Sequence, residues 1–321
     1  MRISVFGSGR WATFLAWYAA SCGHGTLLRG RPGSKGFDEL RASRRAGCVE
    51  LQESVEMTSD IRAALLHGEM YLVAISAQQL GSLCKEIRAV APRAEGIYVL
   101  CMKGLEEQTG LRLSQVVSRE LGDVPCAVWV GPGHPQNYVR GVPGCMLIDS
   151  ADGALTRSVA DALSSKLIRF YYGCDLVGAE IGAAAKNVVG IAAGMLDGLD
   201  FPELKGVLMA RGAREVSRLA QAMGGDPMTV YGISHLGDYE ATLFSPHSHN
   251  RRYGECFARG EPYALLAEGV PTARSLRRLS REGGAEMPIT EAVCAALEGE
   301  MTPQEAVTQL FMRPLKTEFF C

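Results

Sequence analysis

A lysine is costly to place inside an apolar helix. The stretch from Val177 to Leu196 is almost wholly small and apolar, and Lys186-Asn187 interrupts it. Burial there lowers a lysine's pKa and costs stability unless a counter-charge is near. That makes Lys186 a candidate acid–base group. The alternative is a structural lysine whose stem packs while its head reaches water. Asp238, in the turn Ser234-His235-Leu236-Gly237-Asp238-Tyr239, is a natural counter-charge. Lys103-Gly104 follows the strand-like run Ile97–Cys101, and Gly131-Pro132-Gly133 follows Cys126–Val130. Both then sit at the carboxyl edge of a sheet, where open α/β folds bind ligands. Ser248-His249-Asn250-Arg251-Arg252 groups several donors, which suits an anionic group.

A second constellation lies at the N-terminus. The run Ile3–Phe6 leads into Gly7-Ser8-Gly9-Arg10-Trp11-Ala12, a G-x-G-x-x-A turn that opens a helical pattern. Residues without bulk let the backbone approach a pyrophosphate, and the helix N-terminus supplies N–H groups and partial positive charge. The pattern alone is weak, but strand before, helix after and a second strand at the right distance are its required context. At the end of that second strand stands Arg29-Gly30-Arg31 where a site preferring NAD usually has Asp or Glu. Arginine suits a 2′-phosphate, so NADP(H) is favoured over NAD(H). The other reading is two solvated arginines in a protein that accepts NAD(H).

These groups need elements to hold them. Short apolar runs at 3–6, 26–28, 71–75, 97–101, 126–130, 145–148 and 167–171 alternate with helical patterns at Trp11–Cys22 and Ala77–Ala89. Continuous apolar runs suit parallel strands covered on both faces. The expectation is an α/β Rossmann-like doubly wound domain over 1–174. Beyond Gly173 helical patterns dominate, at Val177–Leu196, Leu204–Ala222, Ala267–Arg281, Ile289–Leu297 and Pro303–Met312, which predicts an all-α domain over 175–321. Thr302-Pro303-Gln304-Glu305 reads as a helix start.

Composition narrows the class. The chain has 321 residues, 47% hydrophobic and 21% charged, with a net charge of -2. The hydrophobic share excludes a largely disordered chain, and the charge argues against a dedicated nucleic-acid binder. Ten cysteines are spread with no C-x-x-C pair, which suits a reducing cytoplasm with most of them acting as small core hydrophobes. No uncharged apolar run reaches the ~18 residues that argue for a membrane span. Gly7, Gly9 and Arg10 interrupt the N-terminal apolar run, against a cleaved signal.

Taken in order, these segments resemble the NAD(P)-dependent sn-glycerol-3-phosphate dehydrogenases of the bacterial type over nearly the whole chain. The resemblance is carried by Gly7-x-Gly9-x-x-Ala12, Met102-Lys103-Gly104-Leu105-Glu106, Gly131-Pro132 and Gly178 to Val188. Arg211-Gly212, Leu236-Gly237-Asp238, Asn250-Arg251-Arg252-Tyr253-Gly254, Ala267-Glu268-Gly269, Met287-Pro288-Ile289 and Arg313-Pro314-Leu315-Lys316-x-Glu318 extend it. It implies reversible reduction of dihydroxyacetone phosphate, a supply of glycerophospholipid precursor, with Lys186, Asp238 and Lys103 catalytic. It implies cofactor contacts at Gly7, Gly9, Arg10, Trp11, Ala12, Arg31, Lys103, Pro135, His249, Leu266 and Glu268. Substrate contacts fall at Lys103, Gly131, Gly133, Lys186, Asn187, Asp238, Ser248, His249 and Asn250. The partners implied are a small phosphorylated three-carbon substrate and a second copy of the chain, with neither nucleic acid nor membrane.

Two positions depart from the family. Gly133 stands where Ser or Thr is usual, and His249 where Arg is usual. Histidine is only partly charged near neutral pH, so the phosphate clamp is weakened, the substrate differs, or His134 compensates from the opposite loop. His235, His247 and His249 fall close together, but not at a metal-ligand spacing, and read as a polar loop lining an anion site. Arg274, Arg277, Arg278 and Arg281 share a helical face and read as a solvated one. The rival functions are a ketopantoate-type or 3-hydroxyacid reductase of the same architecture, and a non-catalytic NAD(P)-sensing protein.

Overall fold

The computed structural model describes residues 1–93, 95–315 and 317–318. Through residue 172 the chain runs β1 (Arg2–Phe6), α1 (Arg10–Ser21), β2 (Gly25–Arg29), α2 (Lys35–Ser43), β3 (Arg45–Ala46), β4 (Val49–Glu50), β5 (Glu56–Thr58), α3 (Ile61–His67), β6 (Met70–Val73), α4 (Leu80–Val90), β7 (Ile97–Leu100), α5 (Leu113–Leu121), β8 (Cys126–Val130), α6 (Pro135–Val139), β9 (Gly144–Ser150), α7 (Gly153–Leu163) and β10 (Ile168–Tyr172). Helices follow: α8 (Leu176–Gly198), α9 (Lys205–Ala222), α10 (His249–Ala258), α11 (Gly269–Gly283), α12 (Pro288–Leu297) and α13 (Pro303–Phe311). This is a Rossmann-like sheet layer followed by a helical layer.

Eight strands form one sheet in the order β10-β9-β8-β7-β6-β1-β2-β5. Successive residues of a strand enter different cores: Ile3, Val5 and Leu72 pack on one face, Phe6, Tyr71 and Val73 on the other. That double covering is why the strands read as unbroken apolar runs. One expectation is corrected. β9 pairs antiparallel with β8, while the remaining sheet neighbours pair parallel. The β8–β9 connection carries only the short α6, and parallel crossovers usually carry a longer helix. The polar edge strand β5 and the β3–β4 hairpin lie outside the sequence reading, because neither carries an apolar run.

Helix α8 organises the second layer. Asp175 caps it by accepting from the Gly178 N–H, and every residue from Gly178 to Leu196 is buried. Its length and apolar content would also fit a membrane span, but 89% of that window lies inside the structure. Its small residues have a use. A Cβ on Gly194 would stand 1.9 Å from the Arg251 carbonyl oxygen, and one on Gly254 of α10 would stand 2.1 Å from that of Ile191. The two helices therefore cross with backbones nearly touching. The start of α8 packs under the sheet through Ala179 and Ala183. Glu180 fixes that contact: it pairs with Arg112 at 2.5 Å and accepts from the Ser114 N–H and hydroxyl.

Further details adjust the sequence reading. α13 starts where the segment predicted a helix start, and Thr302 and Glu305 cap it reciprocally. The arginines of α11 are not simply solvated: Arg274, Arg277 and Arg281 pair with Glu107, Glu298 and Glu291, and Arg278 donates to the carbonyls of Glu107 and Gln108. Among the described cysteines all are free thiols, and only Cys84, Cys101 and Cys294 are fully buried, so the core role expected of most of them holds for a minority. Cys321 and Lys316 lie outside the described residues.

Candidate active site

The carboxyl ends of β1, β6, β7 and β8 open into a cleft of about 1140 Å³ that the helical layer closes from the other side. Gly7, Gly9, Arg10, Trp11, Ala12, Arg31, Lys103, Gly131, Gly133, Pro135, Lys186, Asn187, Ser248, His249, Asn250, Leu266 and Glu268 all line it. Asp238 lies beneath, 1% exposed. The structure thus brings together residues from both ends of the chain. A second groove, about 1210 Å³, runs among α9, α12 and α13 and is mostly apolar; it holds none of these groups.

The floor of the cleft is a triad of charges. Lys186 Nζ lies 3.0 Å from Asp238 Oδ2 and donates to the Thr242 hydroxyl at 2.7 Å. Lys103 Nζ donates to the same carboxylate oxygen at 2.5 Å and to the Gly131 carbonyl at 2.6 Å. Two cations therefore share one anion, and the site keeps an appetite for negative charge. Burial pushes Lys186 down to about 8; Asp238 opposes that shift and Lys103 adds to it. An amine poised there can give or take a proton near neutral pH.

The turn that carries Asp238 is held from below. His235 is fully buried; its Nδ1–H donates to the Gly182 carbonyl of α8, and its Nε2 accepts from the Tyr239 hydroxyl. Burial pushes it down to about 4, so it is a neutral strut. The sequence reading grouped His235 with His247 and His249 as lining an anion site; that is corrected for His235, which lies buried beneath the cleft while the other two line it.

At the other end of the cleft the glycine turn fits a dinucleotide. Gly7 has φ +130°, and a Cβ there would lie 2.3 Å from the Ala74 carbonyl oxygen, so only glycine is accommodated. The first turn of α1 has neither a side-chain cap nor an acidic residue, which leaves its N–H groups for an anion. Glu268 adds a second indication. Its Oε1 accepts from the Ala77 N–H, the Ser76 hydroxyl reaches the same carboxylate, and its buried Oε2 makes no bond of ordinary length, so an amide donor of a bound molecule would suit it. Burial raises its pKa.

The expected phosphate donors divide. Ser248 caps α10 by accepting from the Arg251 N–H, and Asn250 Oδ1 accepts from the Gly269 N–H. Arg251, read as part of the anion cluster, turns away: it pairs with Asp197 and Glu255 and donates to the Ser245 carbonyl. Arg252 lines the cleft in its stead. His249 accepts from the Arg10 guanidinium through Nε2, and its Nδ1 bonds the Tyr263 hydroxyl. Burial lowers its pKa and the cations Arg10 and Arg252 lower it further. His134 spends its Nε2–H on the Ala241 carbonyl. A side chain on Gly133 would meet the Tyr138 ring at 2.8 Å, which accounts for glycine at that departure. Among the described residues no group of three His, Cys, Asp or Glu converges on a metal position.

Comparison with known proteins places this arrangement. The families described as the N-terminus and the C-terminus of NAD-dependent glycerol-3-phosphate dehydrogenase match residues 2–156 and 175–308. The chain belongs to the glycerol-3-phosphate dehydrogenase family. It is 37% identical to a glycerol-3-phosphate dehydrogenase [NAD(P)+] of Brucella canis over 99% of both chains. It is 34% identical to one from Salinibacter ruber over 98% of this chain and 96% of that one. A solved glycerol-3-phosphate dehydrogenase from Coxiella burnetii superposes with a TM-score of 0.90 at 27% identity, covering 97% of this chain and 98% of that one. A ketopantoate reductase from Ralstonia eutropha, the type of enzyme weighed as a rival, shares the fold at TM-score 0.60 and 15% identity, over 96% and 100%. The family is one of NAD(P)-dependent oxidoreductases.

Proposed function

We propose that this chain catalyses the reversible reduction of dihydroxyacetone phosphate to sn-glycerol 3-phosphate, with NADP(H) favoured and NAD(H) accepted. The observation that carries the proposal is the shared carboxylate of Asp238 between Lys186 and Lys103. The nicotinamide cofactor would supply hydride; the glycine turn, Arg10, Trp11, Arg31, Pro135, Leu266 and Glu268 would hold it.

The chain's own residues do the rest. Lys186 holds a proton at Nζ against the ketone oxygen. As hydride reaches the carbonyl carbon, that proton passes to the developing alkoxide, and Lys186 is left neutral. In the reverse direction the neutral amine takes the hydroxyl proton as hydride leaves the carbon. Asp238 orients Lys186 and favours its charged form despite burial. Lys103, fixed by Gly131 and Asp238, polarises the carbonyl. Ser248, Asn250 and Arg252 grip the phosphate, with His249 holding the Arg10 guanidinium beside them, and remote binding positions the ketone.

The working division follows the sequence reading: residues 1–174 hold the cofactor, 175–321 supply Lys186 and Asp238. The proposed setting is the cytoplasm and the working form a homodimer, as the family resemblance implies. The test is an assay of NADPH oxidation with dihydroxyacetone phosphate against a panel of 2-keto acids, with NADH in parallel. Turnover confined to the phosphorylated ketone is expected; a preference for a keto acid would overturn the substrate assignment.

A further inference from the structure

Arg29 ends β2, at the place where a dinucleotide fold reads the adenosine ribose. Its side chain is 7% exposed, yet it lines the cleft. Nη2 donates at 2.5 Å to Oε1 of Glu86, a half-exposed residue of α4 that lines the same cleft. Nε is buried with no partner in the protein. Such a pair is a poor structural device. It desolvates a guanidinium, satisfies it incompletely, and leaves its carboxylate partly in water, where an ion pair contributes little. Arg31, two residues on, is exposed at the rim of the cleft.

We infer that Glu86 sets the discrimination between NADP(H) and NAD(H), by occupying Arg29 and by presenting a carboxylate to the adenosine ribose. Its charge repels a 2′-phosphate and accepts from a ribose hydroxyl. Arg29, held by Glu86, has less of its fork to offer a phosphate, and Arg31 remains as the unopposed cation. The arrangement accounts for acceptance of both cofactors by a chain that has no acidic residue at the end of β2. The inference rests on the proposed placing of the cofactor in this cleft, with adenosine at the β2 end.

The test compares adenosine 2′,5′-bisphosphate with adenosine 5′-monophosphate, which differ by the 2′-phosphate alone, by calorimetry on the full-length protein. NADPH and NADH titrations accompany them. Glu86→Gln keeps the shape and removes the charge. It is expected to raise the affinity ratio of bisphosphate to monophosphate about tenfold, the size of one charge-assisted contact, and to shift the NADPH to NADH ratio the same way. In an Arg29→Leu background the same change is expected to have a markedly smaller effect, since part of it acts through Arg29. A shift below about threefold in the single variant overturns the assignment, as does an undiminished shift in the Arg29→Leu background. If Arg29→Leu does not fold, the single variant still decides. If the unaltered protein binds neither nucleotide, the cofactor placing itself falls; if it binds both and Glu86→Gln leaves their ratio unchanged, only the role of Glu86 falls.

Discussion

In the proposed reaction the acid–base role of Lys186 rests on three forces that nearly balance on one amine. Burial favours the neutral form, Asp238 the charged one, and Lys103 the neutral one again, leaving a pKa of about 8. The reduction needs the charged form, so its rate should be flat at lower pH and fall about tenfold per unit as pH rises above about 8. The oxidation should show the opposite limb. Asp238→Asn removes the force that favours charge, so the fall should begin at lower pH. A profile unmoved by that substitution would remove Asp238 from the acid–base unit. A second prediction concerns the departure at His249. Arg10 already delivers a guanidinium to its ring, so His249→Arg places two such groups in contact. The expected result is a KM for dihydroxyacetone phosphate changed by about threefold or more, relieved by adding Arg10→Ala. An unchanged KM would place His249 outside the phosphate site. Lys186 and Asp238 were legible in the sequence because a charge in an apolar helix and an acid in a glycine turn stand out locally. The fates of Arg251, Arg10 and Arg29 were not. Asp197, His249 and Glu86, which draw them, lie 54, 239 and 57 residues away, and the sequence carries no signal of such long-range pairing.

At the scale of elements, the crossing of α8 and α10 brings Lys186 and Asn187 to Ser248 and Asn250. Gly194 and Gly254 permit it by direct backbone approach. Gly194→Ala inserts a methyl group where no relaxation of a side chain can help, because the obstacle is the Arg251 carbonyl. It should cost about 2–3 kcal/mol and lower the melting temperature by several degrees, with loss of turnover as the helices separate. A melting temperature within about one degree of the parent, with full activity, would mean the crossing does not position the site. The small-residue run of α8 was plain in the sequence, and so were α9, α11, α12 and α13 by their periodicity. Helix α10 was read only as a cluster of donors, since its polar start hides the helix that Ser248 caps. β5 escaped notice for a related reason: Glu56, Met57 and Thr58 are edge residues that need no apolar run. The reversed β9 could not be read from composition, because a buried strand is apolar whichever way it runs.

For the whole molecule, a net charge of -2 conceals a cleft of the opposite character. Arg10, Arg31, Lys103, Lys186 and Arg252 gather there, with Asp238, Glu86 and Glu268 as partial counterweights. Phosphorylated ligands should therefore lose affinity as salt rises. Between about 0.05 and 0.5 M salt the KM values for dihydroxyacetone phosphate and NADPH should increase several-fold, since the screening length shrinks from over about 10 Å to about 4 Å. Salt-independent KM values would argue against an electrostatic grip. The sheet layer and the helical layer keep this cleft in register through Glu180, Arg112 and Ser114. The proton transfer in the proposed reaction, in either direction, passes through one atom, Lys186 Nζ. The most direct measurement is turnover of dihydroxyacetone phosphate by Lys186→Ala, with NADPH binding followed in parallel by fluorescence. The account predicts turnover reduced by about a thousandfold or more with cofactor affinity nearly unchanged; near-parental turnover in that variant would contradict it.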